Sequence, residues 1–141
     1  MPWIVVECKD FNVAEPLSDA YTQIKRYSNQ RMDEADHYAQ PEGKKQLFYT
    51  NLFSVITHGT EARFGSISAN FDYYYNWIDI FPKIYCTAET ADGGVKQKVI
   101  IGGMFNHEIL IDILRNFTLF VEDNGKEIKV ICRYHQYRAV R

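Results

Sequence analysis

Glu7-Cys8-Lys9 closes an apolar run, Trp3-Ile4-Val5-Val6. A carboxylate and an ammonium two residues apart on a strand project to the same face. Placed there, the carboxylate can hold a divalent ion through hard oxygen, and the backbone carbonyl of Cys8 can add a ligand. The ammonium can orient an attacking water or meet charge developing on a phosphate. Such a set suits metal-dependent phosphodiester hydrolysis. Glu-x-Lys also occurs at Glu42-Gly43-Lys44 and Glu127-Ile128-Lys129, so the spacing alone is a weak signal. Only the first copy follows a wholly apolar strand and precedes a helix; Glu42 falls in a polar loop and Glu127 at the start of a solvated hairpin strand.

A second pair strengthens the first. Gln23 and Tyr27 stand four apart on the helix that follows, hence stacked on one face at the border of its apolar stripe, where an amide and a phenol can reach a phosphate or a bound water. Other residues offer less. His37, His58, His107 and His135 contain no i,i+4 pair, which argues against a zinc site, and His58 beside Gly59 reads as turn chemistry. The Cys8 side chain should face away from Glu7 and Lys9 as a buried structural thiol. The aromatic run Phe71 to Trp77 reads as packing rather than base stacking, because no basic residue lies between Ile67 and Pro82.

The elements that must position these groups follow from hydrophobic period and turn residues. Ile4 to Val6 is uninterrupted and apolar, as in a mid-sheet strand covered on both faces. Pro16 starts a helix whose Leu17, Ala20, Tyr21, Ile24 and Tyr27 share one side and which ends near Asn29. Residues 31–46 are polar, with Pro41 and Gly43, and read as a loop or weak helix. Strands over 52–57 and 64–68 form a hairpin with a loop longer than two residues. Residues 71–81 read as irregular with a helical turn, 83–98 as loop, and Met104 to Asn116 as a second helix. Strands over 117–122 and 127–132 flank Asp123-Asn124-Gly125-Lys126, a strong hairpin turn.

The 141 residues, 46% hydrophobic and 24% charged, have the size and balance of one folded domain and exclude a disordered chain. Three cysteines without C-x-x-C spacing support neither a disulfide framework nor a structural zinc site and fit a reducing cytoplasm. No apolar stretch resembles an export signal or a membrane span. The net charge is -2, yet residues 126–141 carry five basic groups against one acidic.

In order and spacing, the blocks VVECK, QIKRYSNQR, LFYTNLFSVITHGTEARFGSISA and LRNFTLFVEDNGKEIKVICRYHQYRAV resemble one family: the N-terminal nuclease region of the restriction (R) subunit of type I restriction-modification enzymes, a PD-(D/E)xK nuclease. The resemblance implies a restriction-endonuclease-like α/β fold, a mixed central sheet with flanking helices. It implies Glu7 and the Cys8 carbonyl as Mg²⁺ ligands, Lys9 as catalytic lysine, and Gln23 with Tyr27 as the helix pair beside the catalytic centre. It further implies double-stranded DNA as substrate, and methyltransferase and specificity subunits as partners.

Residues 133–140 resemble the opening adenine-recognition element of superfamily 2 helicase motors. There Gln136 would read adenine, with Arg133 and Tyr134 beside it, and ATP would be a cofactor of the parent protein. The resemblance therefore divides the chain into an endonuclease-like domain, 1–132, and the start of a motor domain or its linker, 133–141. One departure matters: the family carries a metal-binding Asp upstream of Glu-x-Lys, whereas none of the six residues before Glu7 is acidic. The expectation is an N-terminally truncated domain, inactive in isolation, from a parent that cleaves DNA. The alternative is a non-catalytic nuclease-like module that docks a motor domain or partner subunit.

Overall fold

A computed structural model describes residues 2–10, 12–30, 42–80 and 96–141. The first element is strand β1, Ile4–Lys9, followed by helix α1, Pro16–Tyr27. Pro16 occupies the first turn, where a missing N–H costs nothing, Asp19 faces the positive helix end, and Lys25 and Arg26 lie in the last turn. Asn29, at φ +58°, takes the left-handed conformation that ends helices. A 3₁₀ turn, Lys45–Phe48, leads into β2, Phe53–His58, and β3, Glu61–Gly65.

β1 pairs in parallel with β2, from Ile4 opposite Phe53 to Lys9 opposite His58, and β2 pairs antiparallel with β3. The sheet order is β1-β2-β3, a mixed sheet in an α/β arrangement. Here the structure corrects the expectation for the first strand. β2 is the central strand, with Phe53, Val55 and Ile56 at most 2% exposed. β1 lies at the edge of the described sheet, where Val6 is 45% exposed and Cys8 is exposed rather than buried.

Two cores form on the two faces of the sheet. Ala20, Tyr21 and Ile24 of α1 pack with Ile56, Phe48 and Tyr74 on one side. On the other, Phe53, Val55 and Phe64 meet Trp77 and the apolar faces of α2, Lys96–Gly102, and α3, His107–Asn116. The expected loop over 83–98 thus gives way to helix from Lys96; its earlier residues up to 95 lie outside the described ones, as do 31–41 of the expected polar loop. The helix expected from Met104 begins at His107, because the Asn106 side chain accepts from the Glu108 N–H at 3.0 Å and caps it. The first hairpin is tighter than expected: His58 pairs with Glu61, leaving Gly59 (φ +44°) and Thr60 as the turn.

The second sheet is the hairpin β4, Thr118–Asp123, and β5, Lys126–Ile131. Asn124 and Gly125, at φ +51° and +73°, make its turn as expected. Helix α4, Tyr134–Val140, then returns Tyr134 and Tyr137 to the core against Trp77.

At Gly103 the backbone approaches the Trp77 ring closely. A Cβ there would lie 2.6 Å from Trp77 Nε1 and 2.8 Å from the Asp79 carbonyl, and Trp77 is 2% exposed. Gly103→Ala should therefore lower unfolding stability by about 1–3 kcal/mol through overpacking, measured by urea denaturation; an unchanged midpoint would refute the close fit.

Candidate functional site

Alternation along β1 sends Val5, Glu7 and Lys9 to the α1 face, and the crossover from β1 to its parallel neighbour lays α1 over that face. Glu7 and Lys9 therefore meet Gln23 and Tyr27. Lys9 Nζ lies 3.2 Å from Glu7 Oε1 and donates to Gln23 Oε1. Gln23 Nε2 donates to the Tyr27 hydroxyl, which donates to Glu7 Oε2 at 3.3 Å. The four side chains thus close a ring in which each donor finds an acceptor. The Lys9 and Glu7 side chains are 19% and 14% exposed, shielded enough for their charges to matter to each other yet open to a ligand.

Residues further across the sheet share this face by register. Arg63 lies opposite Ile56, itself opposite Glu7, and His58 lies opposite Lys9. His58 ends β2 as a paired strand residue, not the free turn residue its neighbour Gly59 suggested. α1 is held down by Lys25, which is 5% exposed and donates to the Ile67 carbonyl at 2.5 Å and to Gln30 Oε1 at 3.3 Å. Tyr21 adds a bond from its hydroxyl to the Ala69 carbonyl at 3.2 Å.

The ring by itself offers a divalent ion one carboxylate, already paired with an ammonium. Among the described residues no group of three His, Cys, Asp or Glu could hold a metal ion. The Mg²⁺ site that the resemblance implies is therefore not complete in these residues.

The structure places the C-terminal candidates apart from this ring. Gln136 Oε1 accepts from the backbone N–H of Arg133 at 2.8 Å and so caps α4. Tyr134 turns into the core and donates to Asp79 Oδ2 at 2.6 Å. Arg133 reaches across to the Tyr75 hydroxyl at 2.6 Å, its guanidinium carbon 4.1 Å from the Tyr75 ring centre. Arg133 and Gln136 line a cleft with Tyr73, Tyr75 and Ser68. The aromatic run has no cation near it in sequence, but Arg133, 58 positions beyond Tyr75, brings one in space.

Residues 1–73 match the family described as type I restriction enzyme R protein N terminus. The type I restriction enzyme HindI endonuclease subunit of Haemophilus influenzae is 31% identical over 142 aligned residues, which cover 99% of this chain. The chain spans 12% of that relative's length. No solved structure matches.

Burial pulls the Lys25 ammonium down to about 8 from 10.5. The folded chain therefore holds this proton less tightly than the unfolded chain. The penalty is present in full below pH 8 and is lifted as pH rises from about 8 toward 10.5. The unfolding free energy of the native chain, minus that of Lys25→Met, should rise across this window. Subtracting the variant cancels other titrations, such as that of the buried Cys132 thiol, which burial pushes up to about 12. A flat difference would show that Lys25 is not buried as a cation.

Proposed function

The chain belongs to the family of type I restriction enzyme R protein N termini, and on that premise we propose that its Glu7, Lys9, Gln23 and Tyr27 form the phosphate-facing part of a DNA endonuclease site. The observation that carries this reading is the closed ring of those four side chains on one sheet face. A phosphodiester entering the ring is met by the Lys9 ammonium, which also faces the charge that develops as water forms a new bond to phosphorus and the bond to the leaving oxygen breaks. The Gln23 amide and Tyr27 hydroxyl hold its oxygens, and fixed donors of this kind need no reorganisation during reaction. Glu7 holds Lys9 in place. Glu7 and the Cys8 carbonyl are the proposed metal-facing groups, to be joined by a carboxylate that the described residues do not bring.

In this reading residues 1–132 form a restriction-endonuclease-like domain and 133–141 open a motor domain or the linker to it. The whole protein is a cytoplasmic subunit that cuts double-stranded DNA with Mg²⁺, driven by ATP, beside methyltransferase and specificity subunits. Gln136 keeps an amide donor and a second carbonyl lone pair for adenine while it caps α4. The absence of any membrane-spanning helix among the described residues is compatible with such a subunit.

A second reading, a docking module without catalysis, is favoured by the ring's self-sufficiency: every member already has a partner. One experiment separates the two. The 141-residue chain incubated with plasmid and Mg²⁺ should not cut. A complete R subunit carrying this segment, assembled with its partners, should cut, and Lys9→Ala in that subunit should lower the cleavage rate by roughly a hundred-fold or more while ATP hydrolysis continues. Undiminished cleavage by Lys9→Ala would establish the docking reading instead, and robust cleavage by the isolated chain would show that the single carboxylate suffices.

A further inference from the structure

Apart from the Glu7 ring, the structure holds a cleft of about 720 Å³ between the segment Phe64 to Tyr75 and β5 with the start of α4, within the size range of small-molecule sites. Its walls mix ring, cation and hydrogen-bonding groups. Tyr73 is 57% exposed. Arg133 lies over the Tyr75 ring and is tied to its hydroxyl, while Ser68, Asn70 and Gln136 add hydroxyl and amide groups. Besides Tyr73 and Tyr75, the charged and titratable lining groups are Lys129, Arg133 and His135 against Asp123. Lys129 donates its ammonium to the Asn51 carbonyl, so Arg133 is the cation that meets a ligand.

We propose that this cleft binds an unpaired base of a single DNA strand. An exposed guanidinium held over a phenol ring offers a base a cation and an aromatic group together, and bases lie readily against such groups. The exposed Tyr73 ring supplies a second stacking surface. The Asn70 and Gln136 amides of the lining suit the polar edges of a base, which in a duplex are occupied by pairing. Residues 126–141 carry five basic groups to one acidic; Lys129 is taken up by the Asn51 carbonyl and Arg141 by Asp112, so the excess gives a phosphate backbone a modest attraction. The cleft and the ring share one sheet: Gly65 lies opposite Ser54, which lies opposite Val5.

This inference stands on Tyr73, Tyr75 and Arg133, and competes with the adenine reading of Gln136 for the same wall. It is tested with the 141-residue chain by fluorescence anisotropy of a labelled oligothymidylate, a duplex of equal length, and ATP as competitor. The single strand should bind more tightly than the duplex. Tyr73→Ala should weaken single-strand binding roughly ten-fold. Arg133→Lys should do the same, because it keeps the charge and removes the planar fork. Leu119→Ala, on the exposed hairpin face, should leave binding unchanged, and circular dichroism checks that each variant is folded. Equal affinity for duplex, or no loss in either cleft variant, overturns the proposal. So does displacement of the oligonucleotide by ATP in a manner that Gln136→Ala abolishes, which would assign the cleft to a free nucleotide. The cleavage assay on Lys9 reads neither result.

Discussion

Parallel pairing of β1 with β2 is the constraint from which the rest follows. Two parallel neighbours cannot be joined by a tight turn, so the chain must cross over one face of the sheet, and it does so as α1. The crossover needs an apolar helix face, which Leu17, Ala20, Tyr21 and Ile24 provide. Once that face is seated over Ile56, the residues at the helix border have little choice of direction. Gln23 and Tyr27 hang over the C-terminal end of β1, where Glu7 and Lys9 arrive by alternation. The four-residue ring is thus a consequence of how one helix must pack.

The opposite face of the sheet is organised by rings. Phe53 contacts Phe64 edge-on, Phe64 contacts Trp77, and Trp77 contacts both Tyr134 and Tyr137, with centroids 5.4 to 6.1 Å apart. Rings at such separations and angles gain beyond the area they bury. This series runs without a break from the central strand to α4, so the C-terminal helix is fastened to the sheet that carries Glu7. The polar rim of the series is used as well: Tyr134 bonds Asp79, and Tyr75, bridged to Phe64 through the backbone, holds Arg133. An aromatic content of 15% is thereby put to connecting elements as much as to filling space.

Legibility in the sequence followed how local the cause was. The Asn124-Gly125 hairpin and the Pro16 start of α1 depend on one or two residues with special backbone preferences, and both were readable. The grouping of Glu7, Lys9, Gln23 and Tyr27 was readable too, because strand alternation and helix period act within a few residues. The place of β1 was not: an apolar run says that a strand has cover but not which strands adjoin it, and Val6 and Cys8 turned out exposed. Gly59-Thr60 misled for a related reason. Only the partner strand shows that His58 and Glu61 are paired and not loop. The Arg133–Tyr75 contact joins residues 58 positions apart and leaves no periodic trace in either segment.

The ring's own electrostatics limit what it can do unaided. Lys9 and Glu7 are partly shielded from water, and each touches the other and a polar group of α1, Gln23 for Lys9 and Tyr27 for Glu7. A phosphate that takes over Lys9 leaves Glu7 with a single hydrogen bond from Tyr27 and a like charge nearby, a state that low local polarity makes costly. In the proposed site a phosphate would settle there only if Glu7 gained a compensating positive charge at the same time. Anion binding at Lys9 and cation binding at Glu7 would then be coupled by charge balance, and whatever completed the cation's coordination would strengthen the hold on the phosphate. Under that proposal a ring with one carboxylate is well formed as a structure and would still depend on further groups for chemistry.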